Sequence, residues 1–212
     1  MSIKTNKVVE QLSQFKIIPM VNIKNINNII PLANILINNN LPVIEITLRS
    51  EESIEAIRIL REKYPNMLIG VGTVLSFDQV KEAEIAGANF IVSPGFNPKV
   101  IDFCQEEGLS IIPGINNPMA IEAAFDKGLT AMKFFPAEAS GGIDMIKSLL
   151  GPYSQLQLMP VGGINLDNIN DYLAIPQVFA CGCSWFVDEK LIEEQNWDEI
   201  ESLLQEALDK IN

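Results

Sequence analysis

Eight short apolar runs recur along this chain, each followed by a longer segment in which apolar residues return at helical spacing. The runs are Ile17–Val21, Val43–Leu48, Met67–Val71, Phe90–Val92, Ser110–Ile112, Ala131–Phe134, Gln157–Val161 and Val178–Ala180. A strand that is apolar at nearly every position is buried on both faces, which is the situation of a parallel sheet covered by helices. The segments between, such as Ser53–Glu62 and Phe77–Ala86, carry their apolar residues on one helical face. Eight strand–helix units predict an α/β fold, a single (β/α)8 TIM barrel over residues 1–212, rather than an open sheet. Such a barrel needs about 200 residues, so little room is left for insertions. An extra N-terminal helix is expected over about residues 7–15, beneath the barrel, and an amphipathic closing helix over 198–211. Gly87, Gly108 and Gly128 each stand between a helical segment and the next run, where a helix commonly stops.

Composition removes several kinds of function. The formal net charge is −12, which argues against nucleic acid as a partner but not against an anionic small molecule. The first residues hold no apolar core of a secretion signal, and no run approaches the ~18 apolar residues of a membrane helix. A cytoplasmic protein without a membrane partner is therefore expected. There is no histidine, so Ser-His and Cys-His nucleophile pairs are excluded, and proton transfer falls to Glu, Asp, Lys, Tyr or water. Three cysteines, Cys104, Cys181 and Cys183, lack the paired spacing of a zinc site and read as reduced thiols. No metal is expected.

In a barrel of this kind the site lies at the C-terminal ends of the strands. Lys133 interrupts the apolar run Ala131–Phe134. It either projects into the barrel or sits at the strand end, reaching water or pairing with a carboxylate. Burial disfavours the ammonium form, and a neutral amine can attack a ketone to form a Schiff base. In Val43–Leu48 and the residue after it, Glu45, Thr47 and Arg49 share one strand face. Glu45 is then either a proton shuttle beside Lys133 or the partner of Arg49 in a structural pair, and Arg49 has the fork that suits a carboxylate. Gly162-Gly163 after the seventh run and Gly182 to Ser184 after the eighth are placed where barrels frequently bind phosphate, although a glycine pair also marks a plain tight turn. Thr73 at the third strand end reads as a substrate contact, or as a helix cap or turn residue.

These residues resemble one family throughout. Val43–Ser50 (VIEITLRS), Gly70–Leu75 (GVGTVL), Ile91–Gly95 (IVSPG), Ile112–Gly114, Lys133–Ala139 (KFFPAEA), Gly162–Ile164 and Ser184-Trp185 are similar, in order, to motifs of the 2-keto-3-deoxy-6-phosphogluconate (KDPG) and 4-hydroxy-2-oxoglutarate (KHG) aldolases. The resemblance implies a class I aldolase that works without a metal or organic cofactor, usually as a homotrimer, on a small keto-acid phosphate. It implies cleavage to pyruvate and D-glyceraldehyde 3-phosphate, or to pyruvate and glyoxylate. It gives Lys133 the Schiff base and Glu45 the general acid–base role. Arg49 and Thr73 would bind the pyruvate-derived part, Gly162, Gly163 and Ser184 the phosphate, and Pro94 and Phe135 would shape the pocket wall. Three positions depart from the pattern. Val161 stands where many members have threonine, and in this it resembles relatives acting on the galactonate epimer. Cys183 replaces a glycine, and Lys24 lies in the segment where some members place an arginine. Other readings are another phosphate-binding barrel enzyme, such as an isomerase or epimerase, and a barrel that binds sugar phosphates without turnover.

Overall fold

The computed structural model describes residues 3–211, so the ends of the expected domain at residues 1, 2 and 212 lie outside the described residues. The strands are β1 (Ile17–Val21), β2 (Val43–Thr47), β3 (Leu68–Gly72), β4 (Phe90–Val92), β5 (Ser110–Ile112), β6 (Gly114–Ile115), β7 (Ala131–Phe134), β8 (Gln157–Pro160) and β9 (Cys181–Cys183). The helices are α1 (Ile3–Phe15), α2 (Ile29–Asn38), α3 (Ser53–Lys63), α4 (Phe77–Ala86), α5 (Pro98–Glu106), α6 (Pro118–Asp126), α7 (Gly142–Leu150), α8 (Ile169–Leu173), α9 (Glu189–Glu193) and α10 (Trp197–Ile211). No helix among the described residues is long and apolar enough to cross a membrane.

Every strand pairing is parallel. Six strands form one sheet in the order β5-β4-β3-β2-β1-β9, and three form another in the order β6-β7-β8. In place of the expected single eight-stranded barrel sheet the pairings form two sheets, parted where Pro113, which has no N–H to donate, separates β5 from β6. Isolated parallel bridges, Leu158 to Val178 and Val161 to Gly182, tie β8 to the region of β9. The six-stranded sheet is curled: α1 packs against both β1 and β5, which are separated in the sheet by three other strands.

The final strand differs from its expected place. Val178 makes only the single bridge to Leu158, whereas Cys181, Gly182 and Cys183 pair in register with Ile17, Ile18 and Pro19. Cys181-Gly-Cys is therefore the strand rather than the turn after it. Gly182 belongs there because a Cβ would lie 2.6 Å from the Met20 sulfur and 2.7 Å from a Val161 methyl.

Helix starts follow their sequences. Asn97 and Asn117 accept hydrogen bonds from the first-turn N–H groups of α5 and α6, and each is followed by a proline suited to the first helical position. Ser76 and Gln79 form a reciprocal cap on α4, and left-handed Gly87 ends it. The strands are wholly buried but for the first residue of β8 and Met20 of β1, so the core lies both within the curl and beneath the helices.

Candidate active site

The alternation along β2 sends Glu45 and Thr47 to the inner face while Ile44 and Ile46 pack outward. Thr47 settles its polarity by donating to the Val21 carbonyl at 3.0 Å. Glu45 does not: it is wholly buried, and neither carboxyl oxygen has a hydrogen-bond partner among the described residues. The nearest cation is Lys133 of β7, whose Nζ lies 3.5 Å from Glu45 Oε1 with its side chain 5% exposed. That spacing is an ion pair stretched past ordinary hydrogen-bond length. The Lys133 amine also stands over the face of Phe135, 5.2 Å from the ring centre. The expected placement of Lys133 inside the molecule is thus observed, and Glu45 pairs with it rather than with Arg49.

Gly72 makes room for this pair. A Cβ there would sit 2.1 Å from Glu45 Oε1, so the third strand must end in glycine for the carboxylate to lie where it does. The next residue, Thr73, has φ +61, an uncommon backbone state for a threonine and one often found beside functional groups. It is not a helix cap, since Ser76 caps α4.

Lys133 opens onto a cleft of about 330 Å³ at the strand ends. Arg49, Phe135, Gly162, Gly163 and Ser184 line it as well, so these expected residues meet in one place. Arg49 makes no ion pair among the described residues. Gly162 and Gly163 have φ +100 and +84, and among the described residues the Gly163 N–H donates to no backbone carbonyl. Thr73 and Pro94 do not line this cleft. Pro94 lies instead on a neighbouring apolar cavity of about 610 Å³, which shares Phe135 with the cleft. The reason is local: Pro94 leaves β4 over Gly114, where a Cβ would meet the Pro94 carbonyl oxygen at 2.2 Å.

Two further lining residues, Asn22 and Glu189, carried no signal in the sequence. Asn22 donates to Glu189 Oε2 at 2.9 Å, and Lys24 forms an ion pair with Oε1. The hydrogen bonds from Lys24 and then Asn22 hold the Glu189 carboxyl below the usual carboxylate range. Lys24 is therefore engaged at the rim and does not line the cleft. The partners lie 167 residues apart, one after the first strand and one after the last, and the parallel pairing of β9 with β1 brings them together. The thiols take no part: burial pushes Cys104 up to about 12, with Glu84 adding to the effect, and burial likewise raises Cys181 and Cys183. No cluster of three or more potential metal ligands occurs among the described residues.

Parallel strands converging on a buried lysine and a buried carboxylate are the framework of an α/β enzyme with an amine in its site. The family model for KDPG and KHG aldolase matches residues 8–203, and the chain belongs to that family. It is 55% identical over 211 residues to the 2-dehydro-3-deoxy-phosphogluconate aldolase of Haemophilus influenzae, covering 100% of both chains. It is 36% identical over 193 residues to the KHG/KDPG aldolase of Escherichia coli K12, covering 91% of each. Among solved structures it superposes with a TM-score of 0.89 on the KDPG aldolase of Legionella pneumophila, solved with pyruvate captured at low pH as a covalent carbinolamine. That pair shares 35% identity over 92% of this chain and 95% of the other.

Proposed function

We propose that this protein is a class I aldolase that cleaves 2-dehydro-3-deoxy-6-phosphogluconate to pyruvate and D-glyceraldehyde 3-phosphate, and 4-hydroxy-2-oxoglutarate to pyruvate and glyoxylate. The observation that carries this reading is the buried Lys133 amine 3.5 Å from the unsatisfied Glu45 carboxylate. Moving one proton from Lys133 to Glu45 leaves both groups uncharged in a site nearly closed to water, and frees the amine as a nucleophile. Nζ then bonds to C2 of the keto acid, giving a carbinolamine that loses water to form an iminium. Glu45, again a carboxylate, takes the proton of the C4 hydroxyl as the C3–C4 bond breaks. The bonding pair flows into the iminium to give an enamine, and the aldehyde leaves. Glu45 returns a proton to C3, and water hydrolyses the resulting imine to release pyruvate and the amine. The enamine replaces a free carbanion, which is the gain from covalent capture.

The other roles follow from position. Arg49, a cation at the cleft without an ion-pair partner, binds the keto-acid carboxylate. Thr73 contacts the pyruvate-derived part from its left-handed turn beside Glu45. Gly162, Gly163 and Ser184 hold the phosphate by N–H and hydroxyl donors. Phe135 forms the pocket wall and Pro94 supports it from the adjoining cavity. The two sheets form one closed eight-stranded barrel, with β5 and β6 as halves of one strand and the β8–β9 bridges as the seam. The chain is one domain that assembles as a homotrimer in the cytoplasm. Exposed Leu75, Phe77 and Met119 offer apolar surface for that assembly.

A second reading, preference for the galactonate epimer, is favoured by Val161, which lines the cleft with methyl groups and no hydroxyl. Pyruvate release from the gluconate- and galactonate-derived phosphates and from 4-hydroxy-2-oxoglutarate, with and without chelator, tests both readings. Chelator-insensitive cleavage with the gluconate epimer preferred is expected. Reversed preference establishes the second reading. Binding without cleavage of any of the three removes the enzyme reading in favour of a sugar-phosphate-binding barrel.

A further inference from the structure

Glu138, in the loop after β7, takes no part in the chemistry above, yet it touches the glycine turn at two points and the helix after it at a third. Its backbone N–H donates to the Gly162 carbonyl at 3.0 Å. Its Cγ lies 2.5 Å from where a Cβ on Gly163 would stand, so its stem fills the space beside that glycine. Its Oε1 accepts a hydrogen bond from the hydroxyl of Tyr172, a wholly buried side chain on α8, the helix that follows the glycine turn. Burial, and then the Glu138 carboxylate itself, push the Tyr172 hydroxyl well above its ordinary range, which keeps it protonated and a donor.

The consequence lies in the direction of the peptide units. Ala137 N–H donates to the Val161 carbonyl at 2.8 Å, Glu138 N–H to the Gly162 carbonyl, and Asn168 Nδ2 to the Gly163 carbonyl at 3.0 Å. In a planar trans peptide the N–H of the next residue points opposite to the carbonyl. The carbonyls of Gly162 and Gly163, held by Glu138 and Asn168, therefore turn the N–H groups of Gly163 and Ile164 the other way, while the Gly162 N–H faces β9 where Val161 bridges Gly182, and all three residues line the cleft. Consecutive N–H groups aimed together are an anion cradle.

We infer that Glu138 is a positioning residue that, anchored by Tyr172, holds the Gly162–Ile164 turn in the shape that receives the substrate's phosphate. This rests on the reading that Gly162 and Gly163 bind phosphate. Glu138 works through the turn and through Tyr172, and an oxygen acceptor is what the task requires, not a charge.

The test is steady-state kinetics of Glu138→Ala, Glu138→Gln, Tyr172→Phe and Gly163→Ala on the phosphorylated keto acid and on unphosphorylated 4-hydroxy-2-oxoglutarate. The readout is the ratio of the two kcat/KM values. Glu138→Ala and Tyr172→Phe should lower that ratio about tenfold, mainly through KM for the phosphorylated substrate, as expected for losing one buried hydrogen bond. Glu138→Gln, which still accepts from Tyr172, should restore most of it. If Glu138→Ala fails to fold, Tyr172→Phe decides. A ratio unmoved by Tyr172→Phe and Glu138→Ala but lowered by Gly163→Ala would leave the phosphate cradle standing and overturn the role of Glu138. A ratio unmoved by Gly163→Ala would overturn the cradle, and the inference with it. Equal losses on both substrates, or failure of Glu138→Gln to restore the ratio, would also overturn it.

Discussion

Lys133 and Lys24 each face a glutamate at the same end of the molecule, and the two pairs are chemically identical apart from their surroundings. The inner pair, Lys133 and Glu45, has side chains 5% and 0% exposed and stands 3.5 Å apart with both carboxyl oxygens lacking hydrogen bonds. The rim pair, Lys24 and Glu189, has side chains 54% and 44% exposed, is in direct contact, and is completed by the amide of Asn22. The rim pair is satisfied and solvated, so there is little for it to do besides hold the first strand's loop to the last. The inner pair is neither satisfied nor solvated. A buried carboxylate without hydrogen bonds costs free energy that only a substrate group, a water or a proton can recover. The residue types do not decide which lysine is chemical; the burial imposed by β2 and β7 does.

Substitutions can break that contrast. The largest effect is expected for Lys133→Met, which keeps a long apolar side chain in the same space and removes the amine: turnover should fall to background while the thermal midpoint is retained or raised. Glu45→Gln should lower kcat by about 10²–10⁴, the usual contribution of a positioned acid–base group, with the fold intact. Gly72→Ala sharpens the contrast without touching either charge. Its Cβ would stand 2.1 Å from Glu45 Oε1, so the carboxylate must move, and a displacement of this order is expected to cost on the order of 10²-fold in kcat. Equal activity in Gly72→Ala would show that the Glu45 position is not critical.

At the rim the effects should be small. Lys24→Met is expected to change kcat and KM by no more than about threefold, as for an exposed ion pair. Glu189 adds a pH dependence whose sign follows from its depressed carboxyl. Its contribution to stability is present above the carboxylate's ordinary range and is lost as pH falls through the lower folded value. Glu189→Gln should therefore cost a little stability at neutral pH, flatten the acid side of the stability–pH curve, and converge with the parent protein at low pH. A large loss of activity in Lys24→Met would bring Lys24 back to the substrate.

The same contrast shows what could be read in advance. Strands buried on both faces leave unbroken apolar runs, so β1, β4, β5 and β7 appear in the sequence with the ends they have in the structure. Lys133 and Glu45 were visible because each breaks such a pattern. β9 was not visible, because Cys-Gly-Cys has the composition of a turn and is made a strand only by its register with Ile17–Pro19. Glu189 and Asn22 carried no local signal either, and the pairing of Lys24 with Glu189 was not legible, since nothing in a short polar stretch announces a partner on the opposite end of the chain. Glu138 stood inside the KFFPAEA segment, but its contacts with Gly163 and Tyr172 depend on how two loops and a helix pack. Pro94 and Thr73 were placed at the correct strand ends, yet strand-end position does not say which cavity a residue lines: Pro94 lines the neighbouring one, and Thr73 lines neither.

The central claim is that the shielded amine, and not the rim amine, captures the ketone. Borohydride reduction in the presence of pyruvate, followed by peptide mass spectrometry, tests it directly. One reduced pyruvate confined to the peptide bearing Lys133, absent from Lys133→Met and undiminished in Lys24→Met, is the expected result. An unmodified Lys133 in active protein, or an adduct on Lys24, would contradict it.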